Sequence, residues 1–131
     1  MLHAGAVDEA LRGALAPVLR DLRSTGITVP RIEDRDWTDD TVSASAMVWS
    51  PDGSGTGVRV DLGLPEFERI AMVADQVQDW AIDELWGTAS TNWPPCPRHP
   101  GSHPMRVSTS DARAVWMCPA DEVAVVPVGE L

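Results

Sequence analysis

Apolar residues first recur along this chain at a helical spacing. Val7, Leu11, Leu15, Val18, Leu19 and Leu22 form one stripe, with Asp8, Arg12, Arg20 and Asp21 assigned to the opposite side. The pattern predicts a helix from Ala6 to Ser24, closed by Gly26 and kinked or split at Pro17, which has no amide hydrogen to donate. Ile27 to Glu33 reads as a strand that Pro30 confines to a sheet edge. Asp34 to Asp40 reads as an acidic loop. The period then drops to two. Val42, Ala44, Ala46 and Val48 alternate with Ser43, Ser45, Met47 and Trp49. Beyond Pro51-Asp52-Gly53-Ser54-Gly55, Thr56, Val58, Val60 and Leu62 alternate with Gly57, Arg59 and Asp61. Alternation on both sides of a glycine-rich turn predicts a β-hairpin.

Pro65 opens a second, longer helix, with Glu66 and Glu68 placed favourably in its first turn. Its predicted buried stripe is Phe67, Ile70, Ala74, Val77, Ala81 and Leu85, and Gly87 is the expected stop. Asp75, Asp79, Asp83 and Glu84 decorate the outer side and read as a solvated face. Thr88 to Pro95 reads as a linker. After it, Met105 to Ser108 and Ala114 to Cys118 are expected strands joined by Thr109-Ser110-Asp111, and Val123 to Val128 a third, held to an edge by Pro127. The fold class is α+β: an N-terminal helix, an antiparallel β-hairpin or sheet and a long helix, followed by a small β tail. Residues 1–90 make an acidic α+β domain on this reading, and residues 91–131 a C-terminal subdomain.

Charge narrows the classes of partner. The chain has 131 residues, a 44% apolar fraction and a net charge of −10. That supports a packed core and argues against nucleic acid or an anionic membrane as partner, since both select a basic surface. Residues 1–92 hold sixteen acids against seven arginines, and residues 93–131 four acids against three. The N-terminal residues lack the basic start and apolar run of a signal peptide, and no stretch has the length of a membrane span. A cytoplasmic location is expected. In that compartment two cysteines point to metal ligation or burial before a disulfide.

One constellation carries chemistry. Cys96-Pro97-Arg98-His99-Pro100-Gly101-Ser102-His103-Pro104 is followed by Cys118-Pro119. Zinc takes four nitrogen or sulfur ligands in a tetrahedron, and Cys96 and His99 have the spacing of one ligand-bearing turn. Cys118 ends a predicted strand that can fold back over that turn, and His103 is the natural fourth ligand. Each of the four is followed by proline, which presets φ for a turn and lowers the entropy lost in holding a loop. Asp121 competes with His103 for the fourth position. Inert buried thiols, a Cys96–Cys118 disulfide and an iron site are the competing readings.

The pattern Trp93-Pro-x-Cys96-Pro-x-His99-Pro, His103-Pro, Trp116-x-Cys118-Pro resembles a zinc-ribbon-type tail found on uncharacterised small bacterial proteins. It covers about the last forty residues. It departs from the usual ribbon in having a CxxH turn and no second cysteine pair. The order of helix, three strands, long helix and further strands also resembles the small acidic secretion-chaperone-like fold, whose members are typically dimers that bind another polypeptide.

Enzymatic readings are thinner. If His103 does not bind, Cys96, His99 and Cys118 leave a water position open and Glu122 could act as general base in a zinc-dependent hydrolase. Pro95-Cys96-Pro97-Arg98-His99 echoes one turn of the zinc deaminases, but their H-x-E turn is missing, as are HExxH, GxSxG and a P-loop. The favoured reading is a non-enzymatic protein-interaction or accessory protein with one structural zinc. Of the six tryptophans, Trp80, Trp86 and Trp116 are assigned to the core and Trp49 to an exposed contact.

Overall fold

Asp8 starts the first helix because its carboxylate accepts the Ala10 amide, 2.8 Å away, at the helix end where amides lack partners. The computed structural model describes residues 8–86 and 92–131. Helix α1 spans Glu9–Ser24 as one element and is not split at Pro17. Gly13, whose carbonyl loses its helical partner to the proline, is exposed to solvent. The Ile27 amide bonds to the Leu22 carbonyl (3.0 Å) and the Gly26 amide to the Arg23 carbonyl (3.2 Å), the paired bonds of a Schellman stop. Ala6 and Val7 of the predicted helix lie outside the described residues.

Strands β1 (Arg31–Asp34), β2 (Ser43–Trp49) and β3 (Gly55–Asp61) form an antiparallel sheet in that order. The first strand is shorter and later than its sequence suggested, because Pro30 has no amide to offer the ladder. In the β2–β3 hairpin, Ala44 faces Val60 and Ala46 faces Val58, which puts the aliphatic row on one buried face. Val42 and Leu62 lie beyond the strands and are exposed. Trp49 is on the opposite face but is half-buried. Arg31 and Arg35 sit over its ring, at 5.6 and 5.9 Å from the centroid, and its Nε1 donates to Glu33 Oε1 at 3.3 Å.

Helix α2 (Glu66–Leu85) packs against α1, β3 and the second sheet, so it is buried on more than one side. Ala74, Val77 and Ala81 are in the core as the periodicity predicted, joined by Val73, Gln78 and Trp80. Phe67, Ile70 and Leu85 are only partly covered. Trp86, expected in the core, caps the helix and is 75% exposed. Gly87 and the linker residues 88–91 lie outside the described residues.

The tail is a second antiparallel sheet, β4 (Arg106–Ser110), β5 (Arg113–Cys118) and β6 (Val123–Pro127). The element order is therefore helix, sheet, helix, sheet. Its first turn falls on Asp111 and Ala112, where Thr109-Ser110-Asp111 was expected, with both residues left-handed at φ 51° and 57°. Among the described residues, no helix is long and apolar enough to cross a membrane.

One buried cluster joins α1, both sheets and α2. Its polar centre is Asp21, which the helical reading had placed on the outer side of α1 and which has no exposed surface. Its carboxylate accepts Trp116 Nε1 (2.8 Å) and the amides of Gly129 (2.7 Å) and Leu131 (3.0 Å). Gly129 takes φ +102°, and a Cβ there would come within 2.8 Å of Pro17, so the tail can approach α1 this closely only through glycine.

Asp21→Ala orphans three N–H donors at once, two of them in buried bonds, so a loss of about 3 kcal/mol is expected in chemical denaturation. Ala112→Gly relieves a left-handed alanine in a two-residue hairpin turn and should raise stability by about 1 kcal/mol in the same assay.

Candidate metal centre

The centre is built on proline turns. The His99 amide bonds to the Cys96 carbonyl (3.2 Å) with Pro97 at the second turn position. The Ser102 amide then bonds to the His99 carbonyl (3.1 Å) across Pro100 and Gly101. Gly101 has φ +78°, the value that a type II turn demands after proline. On the other side of the site, Pro119 follows Cys118 into a turn closed by the Glu122 amide on the Cys118 carbonyl, 2.9 Å. The Asp121 amide points at Cys118 Sγ, 3.4 Å away. Three of the four ligand-following prolines thus occupy the turn position that suits a fixed φ.

These turns bring Cys96, His99, His103 and Cys118 together, one donor atom from each lying within 4.8 Å of the others. Both cysteines are buried free thiols. His99 Nδ1 is 3.5 Å from Cys118 Sγ and 3.9 Å from Cys96 Sγ. A tetrahedral zinc with sulfur and nitrogen ligands has edges of about 3.3–3.8 Å, so the two distances from His99 to the sulfurs are close to that spacing. The group could hold a metal ion.

The two imidazoles are prepared differently. His103 Nδ1 is 3.0 Å from the Pro104 carbonyl, which can only accept, so Nδ1 carries the proton. That leaves Nε2 as a bare lone pair. It is buried and has no hydrogen-bond partner among the described residues. An orphaned buried acceptor is costly unless something electrophilic meets it.

His99 turns Nδ1 to the sulfurs and Nε2 outward, where Asp121 Oδ2 lies 3.7 Å away. Asp121 is in turn held by Arg98 Nε at 2.7 Å. That hydrogen bond is the main reason its carboxyl is held below the ordinary carboxylate value. Asp121 therefore sits outside the four-donor group, behind His99, in the place where a carboxylate orients a metal-binding imidazole.

The site leans on the core through residues that sequence reasoning missed. Gln78 Nε2 donates to the carbonyls of Trp93 (3.1 Å) and Met105, gripping both ends of the ligand loop. The Met105 amide bonds back to the Pro94 carbonyl at 2.8 Å. Trp93 donates to Thr25 Oγ1 (2.9 Å) and meets Trp116 edge-on, with centroids 5.4 Å apart. A glutamine among Ala74, Val77 and Ala81 on one helical face was the available signal: a polar side chain there needs a buried partner.

Comparison with protein-family models, with curated proteins and with solved structures found no match for this chain. The site's own chemistry carries the reading.

Asp121→Ala should weaken metal binding by about tenfold to a hundredfold, as loss of an orienting carboxylate does. His103→Ala should weaken it further. Competition with a chromophoric chelator measures both. The reverse ranking would give the fourth position to Asp121.

Proposed function

We propose that this chain is a non-enzymatic interaction protein in which Cys96, His99, His103 and Cys118 hold one structural zinc ion. The observation that carries the metal reading is the buried, unpartnered Nε2 of His103, fixed as a lone pair by the bond at Nδ1 and gathered with two thiols and a second imidazole. Two sulfurs and two imidazoles are a donor set that suits zinc, and a site of four protein ligands is the closed, structural kind. The hydrolase alternative needs His103 to stand aside so that water can take its place. Its preset lone pair argues against that.

The ion's role on this reading is to staple the zinc-ribbon-like tail. Metal binding is coupled to the folding of the segment that supplies the ligands. The partner is a protein, because a net charge of −10 disfavours phosphate backbones and anionic membranes. A reducing, cytoplasmic setting fits a pair of neighbouring thiols used as ligands.

Elemental analysis of the purified chain should find close to one zinc per molecule. Chelation should speed amide hydrogen exchange in Arg106–Ser110 and Arg113–Cys118 while leaving the middle of α2 protected. Substoichiometric metal with two freely titrating thiols would overturn the metal reading. Full metal loading with unchanged exchange after chelation would overturn the structural role.

A further inference from the structure

Helix α1 carries a second surface, remote in character from the metal centre. Arg12, Leu15, Leu19, Arg20 and Arg23 line a groove of about 410 Å³ that Ile32 of β1 completes. At about 100° per residue these helical positions share one face. Leucine and isoleucine supply apolar lining, and three guanidiniums supply positive charge. Three of the chain's ten arginines gather here, in a molecule of net charge −10. Arg20 is held in place by its Nε bond to the Gly129 carbonyl, 2.9 Å. Such a groove selects a partner surface that is acidic and carries an apolar anchor.

The outer face of α2 has that character. Asp75, Asp79 and Asp83 are exposed, and Trp86 follows them at the C-cap with 75% of its surface open. They stand at i, i+4, i+8 and i+11, the same spacing as Arg12, Ala16, Arg20 and Arg23 on α1. Both stripes therefore run about 16 Å along their helices. No ion pair identified among the described residues involves these aspartates. Burial, and then the like charges of Asp75 and Asp83, push the Asp79 carboxyl up from its ordinary value. The stripe is thus an acidic face that gains from a cationic one.

We propose that a second copy of this chain docks its Asp75–Asp79–Asp83–Trp86 stripe into the groove of Arg12, Arg20 and Arg23, forming a homodimer. Each copy carries both halves, so a two-fold arrangement can satisfy both grooves reciprocally. Trp86 supplies the apolar anchor against Leu19 and Ile32, and the aspartates meet the guanidiniums. Tryptophan and arginine are the side chains most enriched where interfaces concentrate their energy. The dimer does not depend on the metal reading.

Sedimentation velocity of the full chain, across micromolar concentrations and at rising salt, tests this. A dimer that weakens with salt is expected, because the contact is charge-based. Arg12→Glu with Arg23→Glu should weaken it more than about tenfold, and so should Asp79→Arg with Asp83→Arg. Arg20 is left in place because it also ties α1 to Gly129. Mixing the two charge-reversed proteins should restore a dimer, since each groove then faces a stripe of opposite sign. That restoration also shows that both variants fold. A monomeric wild-type protein overturns the proposal. So does a dimer indifferent to both reversals, which would place the interface elsewhere, and so does failure of the mixture to associate.

Discussion

The arrangement of the chain depends on one buried carboxylate. Asp21 has no exposed surface, and its oxygens take an indole N–H and two backbone amides, all neutral donors. A carboxylate out of water is expensive unless every donor it needs is supplied. Here the supply comes from the second sheet's central tryptophan and from the residues after its last strand. The same contact fixes where the tail lies, because Gly129 can reach Asp21 only by passing close over Pro17. Proline inside α1 is therefore tolerated at a position where its ring helps form the surface that the tail crosses.

The cluster of two cysteines and two histidines inherits its geometry from that anchoring. Trp116 bonds to Asp21, and its strand ends two residues later at Cys118. Trp93, three residues before Cys96, packs edge-on against Trp116 and is bonded to Thr25 near the end of α1. Gln78 grips the carbonyls that bracket the ligand loop. Each ligand-bearing turn is thus tied to a helix by a buried hydrogen bond before any ion is considered. The loop's own prolines and Gly101 supply the local shape, and the core supplies its position.

How much of this was legible in the sequence follows from the range over which each signal acts. Alternation within β2 and β3 and the stripes of α1 and α2 are properties of single elements, and they placed Ala46, Val58, Leu11, Val18, Ala74 and Val77 in the core. That Cys96, His99, His103 and Cys118 come together was legible because two short segments carry nearly all the chemistry. Asp21 was misread because helical periodicity sorts residues by polarity, and a polar residue whose donors come from another element looks like a surface residue. Trp86 was misread for the converse reason, since a tryptophan at a helix end was assigned to the core by default. Trp37 gave no signal either; its Nε1 bonds to the Ala46 and Val58 carbonyls across Gly57, whose missing side chain makes room for the ring.

The sequence separations within the Asp21 contact set the order in which the molecule can be finished. The carboxylate's partners lie 95, 108 and 110 residues further along the chain. During synthesis at about 5–20 residues per second, α1 leaves the ribosome many seconds before its buried acid can be satisfied. Until then the cheapest place for that carboxylate is water, so α1 cannot settle its final face against α2 and the first sheet. Closing so long a loop comes late in folding on entropic grounds as well. Helix α1 is therefore among the last elements of this fold to be locked, because the residues that lock it are made about a hundred positions after it.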